Sequence, residues 1–400
     1  MERKPNILLI HNYYKIPGGE DTVFKNEKEM LESRGHKVVT YTRSNAEADG
    51  YNFFKKAFLP FSAVFNCKTY RDIKKIIKRE KIDVVHVHNT HMLISPAVFY
   101  AAKKMKVPAI LTVHNFRLLC PAATFYRDGK ICEECLKKGF KAAVKHKCYR
   151  NSKFQTAAAA FIQKFHRATG IYKKIYYICL TDFNKEKLLK HGQIRKDRIF
   201  VKPHFCKGGN TVVPYNDREN RFVFVGRIEE IKGVRFLLDA FRSPLLADKE
   251  LVLCGSGPLD DECGKYIENN GMKNVKMLGQ TSHKEVMEIV ARSRALLMPT
   301  RVYEGFPMTI AEAFSVGTPV IGPDMGNVGN IIKEGINGWK YPPDDKDAFV
   351  AKLVGIRDIT ESAKKSAEEY SEEKNYEILS AVYDKAISEN FARNKKRRAE

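Results

Sequence analysis

Residues 304–312 read Glu304-Gly305-Phe306-Pro307-Met308-Thr309-Ile310-Ala311-Glu312, two carboxylates flanking a Gly-Phe-Pro break. Gly305 and Pro307 punctuate a loop, Pro307 suits the first helical position, and the spacing predicts a helix up to Gly317 with Pro319 beyond it. Glu304 then sits on the loop and Glu312 projects from the second turn. The first backbone N–H groups of such a helix attract anions, and a carboxylate binds hydroxyls, so the pattern suits a ligand that is part phosphate and part sugar. An ordinary capped helix with a solvated glutamate at each end fits the same nine residues.

The flanking chain repeats one arrangement. Arg221–Val225, Leu251–Leu253, Leu296–Met298 and Val320–Ile321 are apolar runs separated by helical stretches. The first half shows the same alternation, with strands expected at Asn6–Ile10, Lys37–Tyr41, Val84–Val87 and Ala109–Val113 and a helix from about Thr22 to Arg34. Continuous apolar strands alternating with helices imply parallel sheets covered on both faces, an α/β chain whose ligands bind beyond the carboxyl ends of the strands. At 400 residues two domains are expected. Residues 203–220, rich in Pro, Gly, Asn and Asp, have hinge composition.

The polar residues fall where this topology wants a site. Gly226-Arg227 and Lys232-Gly233 follow the first strand of the second half, and an Arg with a Lys can neutralise a diphosphate. Gly255-Ser256-Gly257-Pro258 follows the next strand and is expected to let backbone approach a ligand. Pro299-Thr300-Arg301 leads into Glu304. In the first half His11-Asn12, His88-Asn89 and His114-Asn115 each follow an apolar run, and Pro17-Gly18-Gly19-Glu20 lies between strand and helix. Consecutive glycines allow close approach to a ligand, and a plain flexible turn explains them as well.

The stretches VGRIEEIKG (225–233), LCGSGP (253–258), MPTRVYEGFPMTIAEAFSVGTPVIG (298–322) and EGINGWKYPPDD (334–345), with PGGE (17–20) and TVHN (112–115), resemble the retaining glycosyltransferases of family four. The resemblance covers nearly the whole chain. It implies the GT-B fold, two Rossmann-like doubly wound parallel-sheet domains facing a cleft. These would be residues 1–205 (acceptor side, with a Cys-containing insertion at about 116–150) and 219–375 (nucleotide sugar), followed by a returning helix at 376–392 and a frayed basic tail at 393–400. It also implies the roles. Arg227 and Lys232 would hold the diphosphate, Glu312 the ribose hydroxyls, and Glu304 with the backbone of Gly305, Phe306, Pro307 and Met308 the donor sugar. Gly18 and Gly19 would close on the phosphates, and His114 would lie at the sugar on the acceptor side. His114 and Glu304 are thus the expected catalytic residues of a metal-independent, retaining hexosyltransferase using a UDP- or GDP-sugar and no catalytic cofactor. A GT-B nucleotide-sugar epimerase, which needs no acceptor, remains an alternative. So does a non-enzymatic nucleic-acid binder, which would leave Glu304, Glu312, Arg227 and Lys232 without a task.

Charge narrows the partner. Residues 1–200 hold 40 Lys and Arg against 17 Asp and Glu, whereas residues 201–400 hold 30 of each, so the excess of 23 belongs to the first half. Such asymmetry points to an anionic partner. Phe53, Phe54, Phe58, Phe61 and Phe65 mix with Lys55, Lys56, Lys74, Lys75 and Lys78. Further on, Phe161, Phe165 and Tyr172 accompany Lys137, Lys138, Lys141, Lys145, Lys147, Lys173 and Lys174. Aromatics beside clustered lysines suit an anionic lipid surface. Core aromatics with lysines outward fit too. No nucleic-acid-binding module is recognisable, so nucleic acid is not expected. Without a signal peptide or bilayer-length apolar run, the protein is expected in the cytoplasm, peripheral on the cytoplasmic membrane face. The acceptor would be membrane-associated, a lipid-linked saccharide for surface polysaccharide or glycolipid. Cys120, Cys132, Cys135 and Cys148 offer a possible structural zinc site, with Cys132-x-x-Cys135 as its half-motif.

Overall fold

The computed structural model describes residues 3–16, 18–209 and 211–399, so Pro17 of the Gly-rich loop lies outside the described residues. The chain divides into two compact units. The first holds residues up to Ala123, then Glu133–Pro203 and the segment from Asn375 onward. The second holds Thr124–Cys132 and His204–Lys374.

Each unit is built on a six-stranded, all-parallel sheet. The order in the first is Val38–Ser44, Ile7–Tyr13, Val84–Val87, Ala109–Val113, Tyr176–Cys179, Ile199–Val201. In the second it is Val275–Gly279, Glu250–Cys254, Arg221–Val225, Ala295–Leu297, Val320–Pro323, Gly338–Tyr341. Successive side chains of a strand point to opposite faces. Accordingly Phe222 and Phe224 enter one apolar layer with Leu251, Leu253 and Phe349, while Val223 enters another with Val252, Leu296 and Phe314. Both faces are therefore covered, as the continuous apolar runs require. A short antiparallel hairpin, Tyr126–Arg127 with Lys130–Ile131, lies within the second unit.

Four details depart from the sequence expectation. The first strand continues through His11 and Asn12 to Tyr13, because these residues keep pairing with Thr42–Ser44. The helix after it starts at Gly19 and ends at Ser33. Phe65 packs against Tyr70 and Tyr100, and Tyr172 is 2% exposed, so both serve the core rather than a surface. Residues 372–399 form one helix, Glu372–Ala399, where a frayed tail was expected; no Gly or Pro interrupts it.

Candidate active site

In the second unit the strand order reverses between Arg221–Val225 and Ala295–Leu297, which places the expected ligand crevice beyond their carboxyl ends. Both loops there carry the predicted residues. Lys232 Nζ donates to the two oxygens of Glu304 at 2.8 and 3.0 Å, and Thr300 Oγ1 donates to the same carboxylate at 2.8 Å. The Glu304 side chain is only 12% exposed, so this ion pair is partly desolvated and stronger than a surface pair. Buried Asn327 donates its side-chain amide to the carbonyls of Glu304 and Gly305, fixing the loop.

The helix after this loop is Met308–Ser315. Pro307 stands before its first turn rather than inside it, since its ψ of 103° is extended, and the helix stops two residues short of Gly317. Glu312 still projects from the second turn and meets His283 Nε2 at 3.2 Å. Phe306 turns its ring against His204 and Tyr370, so only its backbone is left for a ligand. Arg227 is exposed and paired with Glu229 at 2.8 Å. Asn327 and His283 carried no distinctive sequence signal; both became visible only through the loops they touch.

The glycines of this edge have a different task from the one expected. A Cβ on Gly255 would come 2.0 Å from the Gly226 carbonyl, one on Gly257 2.3 Å from that of Ile228, and one on Gly233 1.9 Å from that of Pro299. They let neighbouring loops stack on each other. Around Gly18 and Gly19, by contrast, a Cβ would meet nothing within 4 Å, which leaves open space above that loop.

In the first unit the order reverses between Ile7–Tyr13 and Val84–Val87. The three His-Asn pairs gather at this edge. The His88 and His114 rings stack with centroids 5.2 Å apart, and His11 lies 6.3 Å from His88. His11 Nε2 meets Asp21 Oδ1 at 2.7 Å, Asn89 donates to the Asn12 carbonyl at 2.9 Å, and Asn115 donates to Glu20 Oε1 at 3.0 Å. Burial pushes the Glu20 carboxyl up to about 7, against the opposing pull of Asn115 and Arg117. His88, Asn89, His114 and Arg117 line a cavity of about 80 Å³ with Ala63 and Ile162.

Two sequence models tile this chain. The glycosyltransferase family 4 model matches residues 17–205, and glycosyl transferases group 1 matches residues 212–375. The chain belongs to this glycosyltransferase family and has the GT-B fold. An uncharacterized glycosyltransferase of Methanocaldococcus jannaschii is 25% identical over 93% of this chain and 94% of that protein. A UDP-Gal:alpha-D-GlcNAc-diphosphoundecaprenol alpha-1,3-galactosyltransferase of Escherichia coli is 25% identical over 74% of this chain and 72% of its own. The solved apo form of the lipopolysaccharide outer core galactosyltransferase WaaB superposes with a TM-score of 0.64 at 20% identity, over 95% of this chain and 99% of that one. This glycosyltransferase is thus an enzyme of glycan biosynthesis.

Two further features of the glycosyltransferase lie in its first unit. Helix Phe53–Val64 leaves Phe53, Phe54, Phe58 and Phe61 67–80% exposed. Helix Lys153–Ala168 adds Phe154, Phe161 and Phe165, at 71, 56 and 37%. The helices are tied by His166 Nε2 to the Val64 carbonyl at 2.9 Å. The side chain of Lys56 lies outside the described residues; Lys55, Lys153 and Lys164 are exposed beside the rings. Among the described residues no helix is long and apolar enough to cross a membrane. In the insertion, the Cys135 thiol is held well above its usual range by a hydrogen bond with Cys120 and by burial, with Cys148 nearby. Cys132 groups with the second unit.

Proposed function

We propose that this glycosyltransferase moves a sugar from a UDP- or GDP-sugar to a lipid-linked saccharide at the anionic cytoplasmic face of a membrane, in surface polysaccharide or glycolipid synthesis. The reaction retains anomeric configuration and uses no catalytic metal. The observation that carries this reading is the pairing of Lys232 with Glu304 at the topological switch point, beside the N-terminus of Met308–Ser315. Departure of a nucleoside diphosphate builds negative charge, which Lys232, Arg227 and the helix N-terminus would stabilise. Without donor, Glu304 neutralises Lys232. A diphosphate would draw the ammonium away and release the carboxylate to the sugar hydroxyls, while Glu312 takes the ribose. Gly18 and Gly19 have the open space that closing on phosphates needs. The Escherichia coli relative, whose name gives UDP-Gal and a diphosphoundecaprenol-linked sugar, supports this donor and acceptor class.

The exposed phenylalanines support the membrane part. Seven such rings on two joined helices, flanked by lysines in the basic half of the chain, suit the interface of an anionic bilayer. One experiment tests both parts: nucleoside diphosphate release from a panel of UDP-, GDP- and ADP-sugars, with and without phosphatidylglycerol vesicles carrying a bacterial lipid extract. Release from one donor, raised by the vesicles, is expected. Lys232→Ala should lower it by about 10²–10³-fold, the cost of losing one group that stabilises developing charge, and Glu304→Ala should lower it too, by removing the carboxylate that holds the sugar hydroxyls. Phe58→Asp with Phe161→Asp should abolish flotation with the vesicles. No turnover of any donor refutes the transfer, and flotation that ignores lipid charge or this double substitution refutes the membrane face.

We also propose a structural zinc in the insertion. The thiols of Cys120, Cys135 and Cys148 support it, and Cys132 stands three residues before Cys135 in the chain. Among the described residues these four sulfurs do not all lie within 4.8 Å of one another. Elemental analysis of purified protein should give about one zinc per chain, as a closed site requires. A metal-free, folded protein ends the idea.

A further inference from the structure

The first unit buries a charged chain that ends at His114. Glu27, on helix Gly19–Ser33, is 1% exposed. Its Oε2 accepts from Lys202 Nζ at 3.0 Å, and its Oε1 lies 3.1 Å from His88 Nε2 and 3.0 Å from His86 Nδ1. His88 Nδ1 in turn lies 3.1 Å from His114 Nε2. Glu27, His86 and His88 are the one group of three metal-ligating atoms within 4.8 Å among the described residues. No cation is needed there, because the Lys202 ammonium, itself 1% exposed and also bonded to Asn375 Oδ1 at 2.9 Å, already supplies the positive charge.

The proton positions follow from the partners. Burial would raise the Glu27 carboxyl, but Lys202, His86 and His88 outweigh it and hold it well below the usual carboxylate range. It is therefore ionised and can only accept, so His88 Nε2 carries a hydrogen. Burial, with His86 and His11 nearby, pushes His88 down to about 4 despite Glu27, so the ring is neutral and its Nδ1 has a lone pair. That lone pair accepts from His114, which must be protonated on Nε2. In the neutral ring the Nδ1 of His114 is then the acceptor.

We propose that Glu27 and His88 are positioning residues, and that the chain Lys202–Glu27–His88 holds His114 as its Nε2–H tautomer so that Nδ1 accepts a hydrogen bond from a sugar hydroxyl. The last clause rests on the transferase reading, which puts His114 at the donor sugar. The tautomer does not.

Nitrogen-15 NMR of the full-length protein with labelled histidine reads the tautomer directly, the His114 signals being assigned by their loss in His114→Gln. A protonated Nε2 with a bare Nδ1 on His114 is expected and the reverse overturns the proposal, the tautomer being read on the unsubstituted protein and His114→Gln serving only to assign the signals. The activity arm separates the two nitrogens of His88. In His88→Asn the side-chain oxygen stands where Nδ1 accepts from His114; in His88→Gln the amide stands where Nε2 meets Glu27. His88→Asn should retain several-fold more kcat than His88→Gln at unchanged donor KM. His88→Gln should lose about 10- to 100-fold in kcat, the range seen when a group orienting a working side chain is removed. Equal loss in both, with native circular dichroism, overturns the proposal. If the unsubstituted enzyme turns over no donor, the transferase reading fails and the NMR result still decides the tautomer.

Discussion

Glu27→Leu is expected to destabilise the first unit by about 3–5 kcal/mol, the usual cost of stripping one partner from a buried ion pair. The carboxylate is the shared acceptor of Lys202 Nζ and two histidine rings, and none of these groups reaches water. After the substitution Lys202 keeps only the Asn375 side-chain oxygen among its side-chain partners, and an ammonium in that setting deprotonates or drags in solvent. Removing both charges is different. Glu27→Leu with Lys202→Met replaces the pair by apolar groups of similar size and should recover most of the loss, because a buried pair roughly balances its own desolvation. Trp339, the sole tryptophan, lies in the second unit, so its fluorescence is the wrong probe. Urea unfolding followed by amide exchange in helix Gly19–Ser33 is the right one. A Glu27→Leu protein within about 1 kcal/mol of the unsubstituted chain, or a double variant no better than the single, contradicts the account of a coupled buried pair.

That pair also marks the limit of what the sequence discloses. Strands Val84–Val87, Ala109–Val113 and Arg221–Val225 were legible to the residue, since buried parallel strands are nearly continuous apolar runs, each with a single polar residue here. Val275–Gly279 was not: it is an edge strand whose alternate residues face solvent, and VKMLG lacks such a run. Arg227, Lys232, Glu304 and Glu312 could be picked out because they follow strand ends, and Lys232 does meet Glu304. Lys202 could not, because its partner stands 175 positions away and a lone lysine between Val201 and Pro203 reads as surface. Glu27 gave a fainter signal: it falls in phase with Val23, Phe24, Met30 and Leu31 on the buried stripe of its helix. The phenylalanines of Phe53–Val64 have the helical spacing of a core stripe as well, and only the lysines among them pointed to the exposure that the structure shows.

Acid should unfold this protein through its buried histidines. His88 and His166 are pushed down to about 4 and His191 to about 3, burial being the largest cause for each. The native state holds these rings neutral. Below about 6.5 the unfolded chain binds protons that the native chain refuses, so stability is lost as pH falls from about 6.5 toward 4. Glu20 has the opposite sign: raised to about 7, it is protonated in the native state first and adds stability as pH falls from 7 toward 4.5. At about 1.36 kcal/mol per unit, these three histidines against Glu20 leave a net loss of roughly 5 kcal/mol between pH 7.5 and 4.5, a large part of a typical domain's stability, and His91, which burial also holds well below its usual range, adds to that loss. Glu27, with its depressed carboxyl, adds a further loss only below about 4.5. His191 isolates the effect. Both of its ring nitrogens are buried without a hydrogen-bond partner, and its ring stands edge-on to Tyr172 with centroids 5.7 Å apart. His191→Phe keeps the ring and removes the proton site. Its urea midpoint at pH 7.5 should match or exceed that of the unsubstituted protein, and its loss on going to pH 4.5 should be smaller by about 2–3 kcal/mol. If the acid limb of His191→Phe coincides with that of the unsubstituted chain, the neutral buried ring is not what acid attacks. If instead the limb flattens while the neutral-pH stability holds, this histidine is kept at the expense of acid tolerance alone, and the remaining slope belongs to the other histidines that burial pushes down, chiefly His88, His91 and His166.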